Sequence, residues 1–552
     1  MQSQQFNDMS LDGVRISGQE VRNQNVTAAL AIANVIKSSL GPVGLDKMLV
    51  DQVGECIITN DGATILKRLD VEHPAGKILV ELAEMQDREV GDGTTSVVIL
   101  ATELLKRGNE LIKKGLHPTT VISGYRLALK EAIRYLKLNL TITSIDRDCL
   151  LSAAKTSMSS KIIGPDSVYF AHMCVEAMSN VKTAQGTYPV SAVNVIKAHG
   201  ASVRDSQLVN GYAIVGARCS QQMPQTVQMA KIALLDFNLT RQKLKLGISI
   251  TIKDPEQLAQ MQQRESDMMR ERIEQIIASG ANVILTTKGI DDGAMKYFVQ
   301  AKCLAMRRVS PEDLRRIAKA TGATVAVSMA NEDDGAERFD PKWLGQAEQV
   351  SEERIGDGEV VFIKQCSKLA AQTIVLRGAN EYMLNEVERS LHDSLCVVKR
   401  VLESNTLVAG GGAVEVGLSI HLEQFALGDQ LVNPREQMPV VEFANALLVI
   451  PKTLTVNAAK DATDLVAKLR SLHAKSQAEG VVPNSIEDKL KFSGLDLING
   501  LVRDNFQAGV LEPALGKVKA MRFACEAAVT ILRIDDSIKM NPSSKPGNNQ
   551  HE

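Results

Sequence analysis

Apolar residues recur every three to four positions over residues 21–40, and the run stops at Gly41-Pro42. That spacing predicts an amphipathic helix ended by glycine and proline. Residues 48–60 are apolar on either side of Asp51-Gln52-Val53-Gly54, which predicts two short strands in a hairpin. Helical spacing returns over 75–86, 94–114 and 119–136. The period then changes. Residues 231–237, 282–287, 304–308 and 324–328 are short apolar runs of strand type, with helical segments at 255–279, 291–302 and 311–320. This alternation predicts an α/β region with parallel pairing. From Asn385 the pattern is helical again. It is broken at Gly410-Gly411-Gly412, and the long apolar stretch 436–459 is interrupted by Pro451. After Met540 the chain turns polar and rich in Pro and Ser, the composition of a disordered tail. The layout predicts one α domain built from both chain ends, with an α/β domain inserted, and no internal repeat.

The chain's 552 residues allow three to four domains. Aromatic residues make up 3%, with Trp343 the single tryptophan, which argues against base stacking on single-stranded nucleic acid. A net charge of −2 supplies no general basic field for nucleic acid or membrane. Eight cysteines are scattered without a CxxC pair and read as reduced, mostly buried thiols of a cytosolic protein. No HExxH motif or Cys/His cluster suggests zinc. Lys37 and Lys452 interrupt the longest apolar runs, so no bilayer-spanning segment is expected, and residues 1–7 lack the regions of a secretion signal.

Asp254-Pro255-Glu256 carries the signature of a helix start, Asp at the N-cap and Pro at the first position. The body that follows is rich in Gln, Met, Arg and Glu. Two readings fit: a helix projecting into solvent with its methionines on one face, or an ordinary amphipathic helix whose methionines are core.

Gly91-Asp92-Gly93-Thr94-Thr95-Ser96 is followed at once by Val97-Val98-Ile99-Leu100-Ala101. A bare glycine turn feeding a helix N-terminus presents unpaired N–H groups and a partial positive charge to an anion. Asp92 suits a hard cation held jointly with phosphate oxygens. The same residues also read as a plain turn with a Thr or Ser N-cap. Ser38 to Gly44 and Asn60-Asp61-Gly62-Ala63-Thr64 are further glycine turns. Gly410 to Gly412 reads as a backbone laid flat against a base or ribose, or as a helix C-cap. Asp393 lies among apolar residues of a helix, where a carboxylate is exposed, paired or functional. There is no GxxxxGK(S/T) motif, and no kinase glycine loop with its lysine, so a P-loop enzyme is excluded and a small-molecule phosphotransferase disfavoured.

Taken together, these segments resemble the chaperonins, specifically the group II type of archaea and the eukaryotic cytosol. The matching residues are Ser39-Leu40-Gly41-Pro42, Gly44-Leu45-Asp46-Lys47-Met48, Asn60-Asp61-Gly62-Ala63-Thr64-Ile65-Leu66, Gly91 to Ser96, Gly410-Gly411-Gly412 and Val510-Leu511-Glu512-Pro513. The resemblance runs from about residue 23 to residue 538. Residues 156–161, 193–200 and 376–380 further resemble one subunit type of the hetero-oligomeric eukaryotic ring (TRiC/CCT).

The resemblance implies a multi-domain α and α/β fold. A helical equatorial domain would span 1–150 and 408–552, and a small intermediate domain 151–219 and 373–407. An α/β apical domain would span 220–372, with a lid protrusion at about 240–280. It implies an ATP-dependent chaperone, with ATP/ADP and Mg²⁺ as cofactors. Its partners would be paralogous subunits in an eight-membered double ring, unfolded clients of the actin and tubulin class, and prefoldin, with no nucleic acid and no membrane. Gly93, Thr94, Thr95 and Ser96 would cradle the phosphates and Asp92 would hold Mg²⁺. Gly41 would close over the nucleotide, and Gly411, Glu512 and Lys517 would line the base and ribose side. Asp393 would position the attacking water with Asp61 opposite, and Ser160 and Lys161 would sense the γ-phosphate. Arg315 and Arg316, on an apical helix, would add charge-based client selectivity or form a salt-bridged face. A chaperonin-like scaffold without turnover is the alternative, and it would be expected to lack one of Asp61, Asp92 and Asp393.

Overall fold

Helix α1 (Gln19–Lys37) buries Val21, Val26, Ala29, Ile32, Ala33 and Ile36 along one stripe. The turn after it places Gly41 at φ 91°, a conformation open to glycine at little cost. The chain is described here as a computed structural model covering residues 13–51, 54–183, 186–240, 255–329, 338–356, 358–367, 371–428, 433–478, 482 and 485–540. It divides into two units, Met1–Lys161 with Ser404–Glu552, and Ile162–Glu403.

In the first unit, β1 (Gly13–Ser17) precedes α1, and β2 (Lys47–Val50) and β3 (Cys56–Thr59) form the antiparallel hairpin read from the sequence. Then come α2 (Gly62–Arg68), α3 (Pro74–Glu89), α4 (Thr94–Lys113), α5 (Pro118–Tyr135) and α6 (Arg147–Met158). The run Val97 to Ala101 is apolar on every side because α4 stands between two cores. Val97, Val98, Leu100 and Ala101 pack with Ile36, Leu79, Tyr125, Phe443 and Leu532, while Ile99 packs with Leu40, Ile420, Leu454 and Leu469.

The second unit opens with α7 (Ser167–Asn180). It continues through β4 (Val193–His199), β5 (Gln207–Val215), β6 (Thr226–Leu235), α8 (Pro255–Ala278), β7 (Val283–Thr286), α9 (Asp292–Gln300) and β8 (Leu304–Met306). After these come α10 (Pro311–Thr321), β9 (Val325–Ala326), β10 (Gly345–Ile355), β11 (Gly358–Cys366), β12 (Gln372–Gly378) and α11 (Glu381–Ser404). The strands form one sheet in the order β4-β12-β5-β11-β10-β6-β7-β8, with β9 also on β6. The expected parallel pairing holds for β6, β7, β8 and β9. The sheet as a whole is mixed, because β5, β10 and β11 run antiparallel. The sequence pattern misses β10, whose exposed Gln346 and Glu348 alternate with buried Gly345 and Ala347 instead of forming an apolar run.

Helix α8 follows the core reading over its C-terminal part. Met269, Ile273 and Ile276 are buried with Leu235 and Phe298, while Met268 is 40% exposed. Of the two readings, methionine as core holds for Met269 and not for Met268. The Asp254 cap and residues 241–253 of the expected lid lie outside the described residues, as does the tail beyond Met540.

The chain then returns to the first unit with β13 (Leu407–Ala409), α12 (Ala413–Leu427), α13 (Gln437–Leu447), α14 (Val449–Asn457), α15 (Ala462–Ser476) and α16 (Ile486–Lys489). It ends with β14 (Ser493–Asp496), β15 (Leu501–Asp504), β16 (Leu511–Pro513), α17 (Ala514–Leu532) and β17 (Asp536–Met540). Helix α17 packs on α4, α5 and α3, and β17 pairs antiparallel with β1, Gly13 opposite Met540. The apolar stretch 436–459 breaks at Leu448, ahead of Pro451, which sits in the first turn of α14 where its missing N–H leaves no bond unmade. Lys452 does not disqualify this stretch as expected. Pro434–Asn457 is long and apolar enough to cross a bilayer by length and composition, but 67% of its apolar window is buried inside the protein, as in a core helix.

Candidate functional site

The turn Gly91 to Gly93 opens α4 without a side-chain cap. Gly93 is the N-cap, left-handed at φ 76° and ψ 18°, and it makes no side-chain cap bond to the first-turn N–H groups. The Thr or Ser cap that the sequence allowed is therefore not made. The start of this 20-residue helix keeps its partial positive charge uncompensated by a cap. Asp92 turns Oδ1 back to accept from Gly93 N at 2.7 Å. Its other oxygen has no hydrogen-bond partner among the described residues. The backbone of the turn is held from below, where Gln86 Nε2 donates to Asp92 O at 2.9 Å. Gln86 is 1% exposed and escaped the sequence reading. Its signal was a lone amide on the apolar stripe of α3, in register with Leu79, Leu82 and Ala83.

Asp61 caps α2, accepting from Ala63 N and Thr64 N. Thr94 Oγ1, the first hydroxyl of α4, also donates to Asp61 Oδ1 at 3.0 Å. The two helix starts touch: a Cβ on Gly62 would lie 2.6 Å from Thr95 Oγ1 and 3.0 Å from Thr95 N. Burial alone would raise the Asp61 pKa. The Lys161 charge and the Thr64 and Thr94 bonds outweigh it, and the carboxyl is lowered below its ordinary value. Ser160 arrives through the buried Asn60, whose Nδ2 donates to Ser160 O at 2.9 Å. Asp61, Asp92, Gly93, Thr94, Thr95, Ser160 and Lys161 are thus gathered in one unit around two helix starts, and Ser96 follows in the first turn of α4.

The glycine triplet is not a C-cap. It follows β13 and opens α12, with Gly412 as a left-handed N-cap at φ 82°. Gly411, at φ 67°, lies against the β14–β15 hairpin, where a Cβ would meet Asn505 Nδ2 at 2.3 Å. Asn505, fully buried, donates to Gly410 O at 2.9 Å. A Cβ on Gly410 would lie 2.7 Å from Glu512 Oε1, so the Glu512 carboxylate rests on bare backbone. Lys517 Nζ joins Glu512 Oε2 at 2.7 Å and Glu415 Oε1 at 2.8 Å. Burial disfavours the Lys517 charge, but its two carboxylates outweigh this and raise its pKa. Glu512 is raised by burial first, then by the Glu415 and Asp92 charges, against the pull of Lys517. The reach of the Asp92 charge links this carboxylate to the α4 turn. Gly41 packs beside Leu454 and Leu497, and Gly412 beside Pro451 in the same helix as Leu454.

Asp393 belongs to the other unit, on α11. It is 7% exposed, which overturns the reading as a surface acid. It shares a buried face with Glu386 and Ser390, seven and three positions before it. All eight cysteines are free, and Cys174, Cys303 and Cys525 are buried while the other five are half-buried, fewer buried than expected. Burial pushes the Cys174 and Cys525 thiols up to about 12, so they are inert.

Among the described residues no group of three or more His, Cys, Asp or Glu side chains is arranged to hold a metal. One carboxylate oxygen at an anion-attracting helix end fits a different case: a hard cation that takes one protein oxygen and completes its shell from phosphate and water. The arrangement suits a polyphosphate at the start of α4, with carboxylates to either side.

The model of the TCP-1/cpn60 chaperonin family matches residues 32–542. The chain is similar to T-complex protein 1 subunit alpha of Arabidopsis thaliana, 56% identical over 545 residues, 97% of this chain and 98% of the relative. It is 52% identical to the subunit of the same name in Dictyostelium discoideum, over 98% of each chain. It is 38% identical to thermosome subunit beta of Methanothermobacter thermautotrophicus, over 96% of this chain and 94% of the relative. The subunit type that 156–161, 193–200 and 376–380 resemble is the alpha type, and relatives bearing that name bear the resemblance out.

Proposed function

Because this chain belongs to the TCP-1/cpn60 chaperonin family, we propose that it is an ATP-hydrolysing subunit of a hetero-oligomeric cytosolic folding ring. The observation that carries the nucleotide reading is the uncapped start of α4, where Thr94 bonds Asp61 and leaves the first-turn N–H groups for phosphate oxygens. Gly93, Thr94, Thr95 and Ser96 bind the phosphates, and Gly91 and Gly93 let them approach the backbone. Asp92 holds Mg²⁺, which supplies neutralisation of charge on the transferred phosphoryl group. Gly41 covers the nucleotide, while Gly411, Glu512 and Lys517 face its base and ribose. Asp393 places the attacking water, aided by Asp61, whose lowered pKa keeps it an anion. Lys161, a mobile point charge beside Asp61, responds with Ser160 to the presence of the γ-phosphate.

The proposed domains are equatorial (1–150, 408–552), intermediate (151–219, 373–407) and apical (220–372). ATP drives lid closure by binding one state of the ring more tightly than the other. The partners are paralogous subunits in an eight-membered double ring, clients of the actin and tubulin class, and prefoldin. Electron microscopy of the native complex, with ATPase and client-refolding assays, tests this. A double ring of similar but non-identical subunits that turns over ATP is the expected result. A monomer, or a ring in which this chain binds no nucleotide, overturns it.

A further inference from the structure

Three charged side chains of the first unit meet at Lys517 and differ in exposure. Glu415 is 10% exposed at its side chain, Lys517 16% and Glu512 30%. Lys517 sits between the two carboxylates, 2.8 Å from one and 2.7 Å from the other. Glu512 is fixed on both sides: Oε2 is tied to Lys517, and Oε1 rests over Gly410, where even a Cβ would be 2.7 Å away. Glu415 is different. It lies in the first turn of α12, where a negative charge is favoured, but it does not cap the helix, since Gly412 is the N-cap. Its second oxygen, Oε2, is buried without a partner among the described residues. A buried carboxylate with one unsatisfied oxygen disfavours folding, so packing alone does not account for it.

What Glu415 does is hold Lys517. An ammonium on four flexible carbons, facing a single carboxylate, would swing over it and close the pair. With a second carboxylate anchored in the core, Lys517 stays between the two, and Glu512 is held with 30% of its side chain exposed. We propose that Glu415 is a positioning residue that acts through Lys517 to hold Glu512 ready to accept hydrogen bonds from the ribose hydroxyls of the nucleotide. This rests on the nucleotide reading above. It predicts that loss of Glu415 is felt through the ribose and not through the phosphates.

The test is photolabelling of this chain with 8-azido-ATP in its native assembly, competed with ATP or with 2′,3′-dideoxy-ATP. Hydrogen bonds to charged groups carry about a tenfold change in affinity. Glu415→Gln is expected to weaken competition by ATP about tenfold and by the dideoxy nucleotide less than about twofold. The double variant Glu415→Gln/Glu512→Gln is expected to be no weaker than Glu512→Gln alone. Equal loss for both nucleotides, or additive losses in the double variant, overturns the positioning role while leaving the nucleotide site intact. If the unaltered chain takes no label, the nucleotide reading fails and the proposal with it. Should Glu415→Gln not assemble, Glu415→Asp, which retracts the charge by one methylene, carries the same comparison.

Discussion

Thr94 and Asp61 stand 33 positions apart in the sequence and meet at 3.0 Å, the first hydroxyl of α4 donating to the carboxylate that caps α2. One bond therefore fixes two helix starts against each other. Replacing Thr94 with Val keeps the shape and removes the donor. Hydrogen bonds to charged groups contribute about 1.5–3 kcal/mol, so a loss near the lower end of that range is expected on urea denaturation, because Thr64 still serves Asp61. No change in the midpoint would show that the two helix starts are held by packing alone.

Asp393→Ala is expected to keep ATP binding and to cut turnover by roughly 10²-fold or more, as for loss of a water-positioning group. Steady-state hydrolysis by assembled rings reads this directly, and near-normal turnover would remove Asp393 from the reaction.

Asp92→Ala is expected to weaken binding of Mg·ATP itself. Calorimetry with and without Mg²⁺ separates the effects: affinity falls with the metal present and changes little without it. Unchanged affinity in both would refute the metal role.

Gly93→Ala probes the left-handed cap. A Cβ there meets only Gln86 Nε2, at 3.6 Å, so the cost is conformational and not steric. A left-handed non-glycine residue costs about 1–2 kcal/mol, and thermal unfolding should show a loss of that size. A Gln86→Ala partner change would not restore it, whereas a steric origin would be relieved.

His473 gives a pH dependence. It is fully buried on α15, and burial pushes its pKa down to about 4, against the favourable bond from the ring to Ser493 O. In the unfolded chain it titrates near 6.5 and binds a proton that the folded chain refuses. The stability associated with its neutral form is whole above about pH 6.5 and is lost as pH falls toward 4. Between pH 7.5 and pH 5 the loss is about 2 kcal/mol. Denaturation at the two pH values should show this for the unaltered chain and a smaller difference for His473→Gln. Equal slopes would place the proton elsewhere.

Helices α1, α3, α4, α5 and α10 were legible because each carries an apolar stripe of helical period between recognisable stops. The glycine turn that opens α4 was legible for a different reason: two glycines and an aspartate ahead of an apolar run admit few structures. Its support was not. Gln86 and Asn505 act through single side-chain bonds to distant backbone, and no local period marks such a residue. Glu415 drew no reading from the sequence, and only the fold brings Lys517 to it from 102 positions away. The break in 436–459 was read at Pro451 and falls three residues earlier, at Leu448. The mixed sheet was missed because its pairing is decided by strands far along the chain.

The pairing of β1 with β17 sets Gly13 beside Met540. A ribosome adds about 5–20 residues per second, so the first strand waits roughly 30–110 s for its partner to be made. Over the same interval the turn at Gly93 lacks Glu512, and α4 lacks the face of α17 against which it packs. The proposed nucleotide site is thus among the last parts of the molecule able to form. During synthesis the apolar flanks of α4 stand open, and this chain meets the same hazard of exposed core that its proposed activity relieves in others.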